Sequence, residues 1–170
     1  MEHAPAQMRF VGMGELVVSR DAKVQLACVG LGSCVAICAF DPQTRVGGMV
    51  HVVLPVAPAQ HDGTIARYAD TAVPALVTAL RRAGARASNV RVALCGGAEI
   101  FTRALLSTRI GARNVEAVRR ALAEVRLPIV GEEVGGEEGR TVLLHLATGA
   151  VHVRSVRRGE RVLSDLGGAT

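Results

Sequence analysis

Aromatic residues are nearly missing from this chain, which has no Trp, one Tyr and three Phe among 170 residues. Its interior must therefore be filled by Ala, Val and Leu, and the scarcity of rings argues against a base-stacking nucleic-acid surface. No apolar run approaches the length of a membrane span, and the N-terminus lacks the pattern of a secretory signal. A cytoplasmic protein without membrane insertion is expected. Cysteine is sparse as well. In a reducing compartment Cys28, Cys34, Cys38 and Cys95 read as thiols, and the absence of a C-x-x-C pair argues against a zinc site. There is no internal repeat and no Ser/Pro-rich linker, so a single domain over 1–170 is expected, with flexible ends at 1–10 and 157–170.

What is present suits a folded core: 49% hydrophobic and 21% charged residues, with a formal charge of +5. The excess of Arg falls in pairs such as Arg81-Arg82 and Arg119-Arg120 and in the tail, which reads as solvated faces rather than a nucleic-acid patch. Val-rich runs bounded by turn residues predict strands at Leu16–Val18, Val24–Val29, Val35–Phe40 and Met49–Leu54, with Asp41-Pro42 and Gly47-Gly48 as turns. Later strands are predicted at Val90–Leu94, Ile129–Glu132, Thr141–Leu146 and Ala150–Val156. Helical spacing predicts Thr71–Arg82, capped by Asp70 or Thr71, and Val115–Val125, capped by Asn114. Two helices among seven or eight closely spaced strands give an α+β fold, with sheets packed on each other and helices outside. The stretch Val56–Ile65 is the expected mobile segment.

Gly30-Leu31-Gly32-Ser33-Cys34 carries the most chemistry. Two glycines permit a sharp turn between strands, which can lift a thiol clear of the sheet and leave backbone N–H groups free as an oxyanion hole. Alone, a Cys beside a Gly-rich turn reads as packing. His51, however, sits within the apolar run Met49–Leu54, where an imidazole without partners is costly. A Cys34–His51 pair within hydrogen-bond reach yields a thiolate near neutral pH, the nucleophile for amide chemistry. His3 and His61 lie in polar stretches, and His145 and His152 lie in a hairpin that reads as structural. Cys95-Gly96-Gly97-Ala98 and Gly135–Gly139 lack the Walker lysine and the G-x-G-x-x-G pattern, so both read as tight turns.

Several segments in order resemble the CheD family, chemoreceptor glutamine deamidases of bacterial and archaeal chemotaxis. They are Leu31–Ala36, Gly47–His51, Arg67–Asp70, Gly96–Phe101, Ile110–Val115 and Glu133–Arg140, and the likeness runs from about Gly12 to Val156. The resemblance implies β-sandwich-type mixed sheets with helices packed outside, similar to the catalytic domains of glutamine-deamidating toxins. It implies Cys34 as nucleophile and His51 as general base, converting receptor glutamine to glutamate and ammonia without a metal or organic cofactor. The substrate would be the cytoplasmic domain of a methyl-accepting chemoreceptor. The family's third member, a threonine shortly before the cysteine, is missing here: Cys28 stands at the matching position in Leu26-Ala27-Cys28-Val29. A thiol is a poor substitute for a hydroxyl. Cys28 and Ser33 are thus the candidates for a third member and for the oxyanion region. That departure leaves open an alternative, a weakly catalytic or non-catalytic module that binds a CheC-type phosphatase. A third reading, redox sensing, predicts a Cys28–Cys34 disulfide on mild oxidation.

Overall fold

The computed structural model describes residues 6–100 and 109–168; His3 and Phe101 lie outside them, as do parts of both chain ends. Strands β1 (Gln7–Phe10), β2 (Leu16–Ser19), β3 (Val24–Leu31), β4 (Val35–Asp41) and β5 (Val46–Val52) come first. Helix α1 (Ala69–Arg82), strand β6 (Arg91–Gly96) and helix α2 (Ile110–Glu124) follow, and β7 (Ile129–Val134), β8 (Arg140–His145), β9 (Ala150–Ser155) and β10 (Gly159–Asp165) complete the order. They form two mixed five-stranded sheets, β1-β3-β8-β9-β10 and β2-β5-β4-β6-β7. The fold is α+β, as expected.

The period-two alternation of strands explains the layering. Along β4, Val35, Ile37 and Ala39 face the helices, while Ala36, Cys38 and Phe40 face the other sheet. Helices α1 and α2 cover the first face through Val73, Leu76, Leu80, Val118 and Leu122. Leu26, Cys28, Val142, Leu144, Val151 and Val153 cover the second. The β2-to-β7 sheet thus lies between the other sheet and the helices, so β4 and β5 are buried on both sides. Each fully buried aliphatic side chain contributes about 1.5–3 kcal/mol, which is how a core almost without rings holds together.

The structure departs from several expectations. The described residues near both ends join a sheet: β1 pairs in parallel with β3, β10 pairs with β9, and Leu166 is fully buried. Both are edge strands, and β1 is exposed throughout, so neither leaves the apolar alternation that betrays a strand. Gly47 and Gly48 are inside β5 rather than in a turn. A Cβ at Gly47 would come within 2.4 Å of Leu146, and one at Gly48 within 2.8 Å of Val18. Helix α1 starts at Ala69 with no side-chain cap. Asp70 instead accepts the Ala57 N–H at 3.0 Å, and the Thr71 hydroxyl donates to the Ile65 carbonyl. Asn114 does not cap α2, which begins four residues earlier.

Candidate active site

Cys34 sits at the end of the turn that joins β3 to β4. The ladder between β3 and β8 shifts register between Cys28 and Leu31, and Gly30 takes φ of 66°, so the chain leaves the sheet sharply here. The following loop grips that turn: the Gly97 N–H donates to the Cys34 carbonyl and the Ala98 N–H to the Gly32 carbonyl, both at 2.8 Å. Gly96 and Gly97, with φ of 114° and 65°, bring this backbone close, so the Cys95–Ala98 turn has a job beside the thiol. Cys34 remains half-buried.

His51 lies on β5 opposite Ala36 of β4. It shares the parity of Met49, so its ring points between the sheets, as the Cys34 side chain does. The segment after β1 crosses directly over it. The Gly14 N–H donates to the His51 carbonyl at 2.9 Å, and the His51 N–H donates to the Glu15 carbonyl at 3.0 Å. The ring Nδ1 is 3.1 Å from the Val11 carbonyl oxygen. A carbonyl can only accept, so Nδ1 carries the proton and Nε2 keeps its lone pair. The Glu15 carboxylate closes this crossing by accepting the Gly12 N–H at 2.8 Å.

Cys34 and His51 line one cavity of about 380 Å³ at the open end of the sandwich, with Phe10, Val11, Met13 and Val29 around it. Phe10, Met13 and Val29 are exposed. A larger groove of about 870 Å³ runs along α1 past Val18, Pro74 and Arg82, and has neither thiol nor imidazole.

Burial dominates the electrostatics. It raises the Cys34 thiol above its ordinary range, against the pull of the Arg67 guanidinium and of its own N–H. It lowers the His51 imidazole below its ordinary range, against the Val11 hydrogen bond and the Glu15 charge. Both shifts favour the neutral thiol and the neutral imidazole. This differs from the preformed thiolate that their pairing suggests in sequence, and no hydrogen bond joins the two groups directly. Such bonds often tighten only when substrate arrives.

Of the other sequence candidates, Ser33 is in the Cys34 turn, with its carbonyl bound by the Asn114 amide at 2.9 Å. Cys28 is fully buried and its thiol donates to the Val11 carbonyl at 3.4 Å. Burial, then the neighbouring Cys95, Cys34 and Glu15, push that thiol far up, so it stays protonated. Cys28 thus shares an acceptor with His51, and no hydrogen bond joins its thiol to the ring. All four cysteines are free. The His145 and His152 rings meet at a tilt of 54° with centroids 4.6 Å apart, and His61 packs edge-on to Tyr68; none of these lines the cavity.

Sequence reasoning missed Val11, Glu15 and Asn114. A backbone carbonyl has no side-chain signature, so Val11 was invisible. Asn114 was readable, since an amide beside Val115 and Val118 interrupts the apolar stripe of α2.

The family described as CheD chemotactic sensory transduction matches residues 53–155 of the chain. The chain is similar to "Probable chemoreceptor glutamine deamidase CheD" of Symbiobacterium thermophilum, 44% identical over 161 residues that cover 92% of this chain and 98% of the relative. It is also similar to "Chemoreceptor glutamine deamidase CheD" of Thermotoga maritima, 39% identical over 154 residues, covering 91% and 96%. Among solved structures it is similar to the hypothetical protein YfiH of Bacillus licheniformis, with a TM-score of 0.43 and 16% identity over 78% of this chain and 59% of that one, a likeness too slight to bear on function.

Proposed function

Since this chain belongs to the CheD family, we propose that it deamidates glutamine side chains on the cytoplasmic domain of a chemoreceptor, with Cys34 as nucleophile and His51 as base. One observation carries the reading: Cys34 and His51 open into the same cavity, and the Val11 carbonyl fixes the ring so that Nε2 is the free base. Two relatives that match nearly their whole length bear the name chemoreceptor glutamine deamidase.

A pair that starts neutral sets the order of events. As the Cys34 sulfur attacks the carboxamide carbon, its proton passes to His51 Nε2. The carbonyl oxygen becomes an oxyanion, and the Cys34 N–H can receive it. The carbon–nitrogen bond then breaks, His51 returns the proton to nitrogen, and ammonia departs from a thioester. Water attacks that thioester with His51 again as base, and the carbon–sulfur bond breaks. The sulfur recovers its proton, leaving glutamate on the receptor. Burial suits His51 to this role, because the ring must be unprotonated to accept a proton and burial lowers it below its ordinary value.

The binding-module alternative drew its support from the missing threonine. The Val11 carbonyl supplies the orientation that a hydroxyl would give, so the enzyme reading needs no threonine at position 28. Ammonia release from a cytoplasmic chemoreceptor fragment tests the proposal, with peptide mapping to find glutamine converted to glutamate. His51→Ala should slow release about 10²–10⁴-fold. No ammonia from the parent protein, or undiminished release by the variant, removes the proposal.

A further inference from the structure

We propose that Asn114 is a positioning residue for this reaction: its amide holds the Ser33–Cys34 peptide so that the Cys34 N–H faces the substrate's carbonyl oxygen. The inference rests on the thiol chemistry proposed above and adds a residue to it.

The ladder between β4 and β5 ends at Val35 opposite Val52. Beyond that rung the strands part. The Val53 N–H turns away to the Arg67 carbonyl at 2.9 Å, so beyond that rung no backbone hydrogen bond among the described residues ties the Cys34 turn to the end of the histidine strand. Asn114 spans the gap from α2. Its Nδ2 donates to the Ser33 carbonyl and to the Val53 carbonyl, each at 2.9 Å. Carbonyls only accept, so the end of the side chain that faces both must be the NH₂, which fixes the orientation of the amide.

Geometry then directs the neighbouring N–H. Across a trans peptide the C=O and N–H point in opposite directions. With the Ser33 carbonyl drawn toward α2, the Cys34 N–H points away from α2. No hydrogen bond joins it to another of the described residues, and beside its own sulfur it helps to lower the thiol. The Gly97 N–H holds the next carbonyl along, that of Cys34 itself. The residue is thus gripped at both flanking carbonyls, and one of the two grips is a side chain.

Packing alone does not account for this amide. Asn114 is fully buried on the stripe that Val115 and Val118 continue, and its Oδ1 has no partner among the described residues. An aliphatic residue would fill the place without that orphan oxygen. What the amide adds is direction.

Two rates on Cys34 test the claim without needing the receptor. Acylation by p-nitrophenyl acetate develops an oxyanion, whereas alkylation by iodoacetamide does not. Asn114→Ala should lower the ratio of acylation to alkylation at least about 10-fold, as expected for a displaced oxyanion donor. Asn114→Ser, which keeps one donor, should fall between it and the parent. Circular dichroism confirms that each variant is folded. A ratio within about twofold of the parent in a folded variant overturns the proposal. So does loss of the fold in both variants, since Asn114 would then be a structural residue. The receptor assay keeps the two proposals apart: a parent that releases no ammonia from receptor while its ratio still depends on Asn114 refutes the deamidase reading alone.

Discussion

Gly96 offers the sharpest test of how Cys34 is held. It sits at the end of β6 with φ of 114°, a conformation that L side chains rarely adopt. A Cβ built there falls 2.2 Å from the Cys34 carbonyl oxygen and 3.2 Å from its carbonyl carbon. Ordinary contact needs about 3.4 Å, so in Gly96→Ala the Cys34 backbone must retreat by roughly 1 Å. Displacements of that size cost on the order of 10²-fold in rate, which corresponds to about 2.7 kcal/mol of barrier. Backbone strain and overpacking together should cost about 2–5 kcal/mol of stability, less than a typical domain possesses. The variant should therefore fold in the cold yet turn over slowly. Ammonia release from the receptor fragment, normalised to the folded fraction by circular dichroism, is the assay. Turnover within about threefold of the parent would show that Gly96 does not set the place of Cys34.

Three further outcomes follow from the same geometry. Cys28→Ala should keep turnover within about threefold while losing roughly 1–2 kcal/mol in urea unfolding, because Val11 rather than Cys28 orients His51; a 10²-fold loss of turnover would restore Cys28 as a third catalytic member. The acid limb of the pH–rate profile should lie below the ordinary histidine value of 6.5, since burial lowers His51 and the base is lost only as pH falls through that depressed value; a limb above 6.5 contradicts it. Asp41 is fully buried, and although burial alone would raise its carboxyl, N–H donors from Arg86, Gln43 and Thr44 hold it below the ordinary range of 3.8. Its contribution is thus present above that range and fades as pH falls through the lowered value, and Asp41→Ala should lose about 2–4 kcal/mol at neutral pH, with a far smaller difference near pH 2 in urea titrations.

How much of this was legible in the sequence depends on where each signal lives. Strands β3 and β4 and helix α1 announced themselves because their buried faces repeat apolar residues at fixed periods. The edge strands β1 and β10 did not, because they gain order from backbone pairing while their side chains face largely outward. Gly47 and Gly48 misled for a related reason: the same residue that permits a turn also permits a close approach, and here the neighbours are Leu146, Val18 and Leu76. Cys34 and His51 could be paired from the sequence because Cys34 immediately precedes β4, and β4 pairs with β5, the strand that carries His51. Their protonation could not, since it depends on burial that only the packed sheets create. The partner of His51 was hidden for another reason. Val11 contributes through its main chain, and any residue at that position offers the same oxygen.

Trapping the acyl intermediate tests the central claim most directly. With hydroxylamine present during turnover on the receptor fragment, a thioester at Cys34 should be intercepted and leave a hydroxamate on the modified glutamine. The parent protein should form it, and Cys34→Ala should form neither hydroxamate nor ammonia. Ammonia release at an undiminished rate by the Cys34→Ala protein would contradict the account.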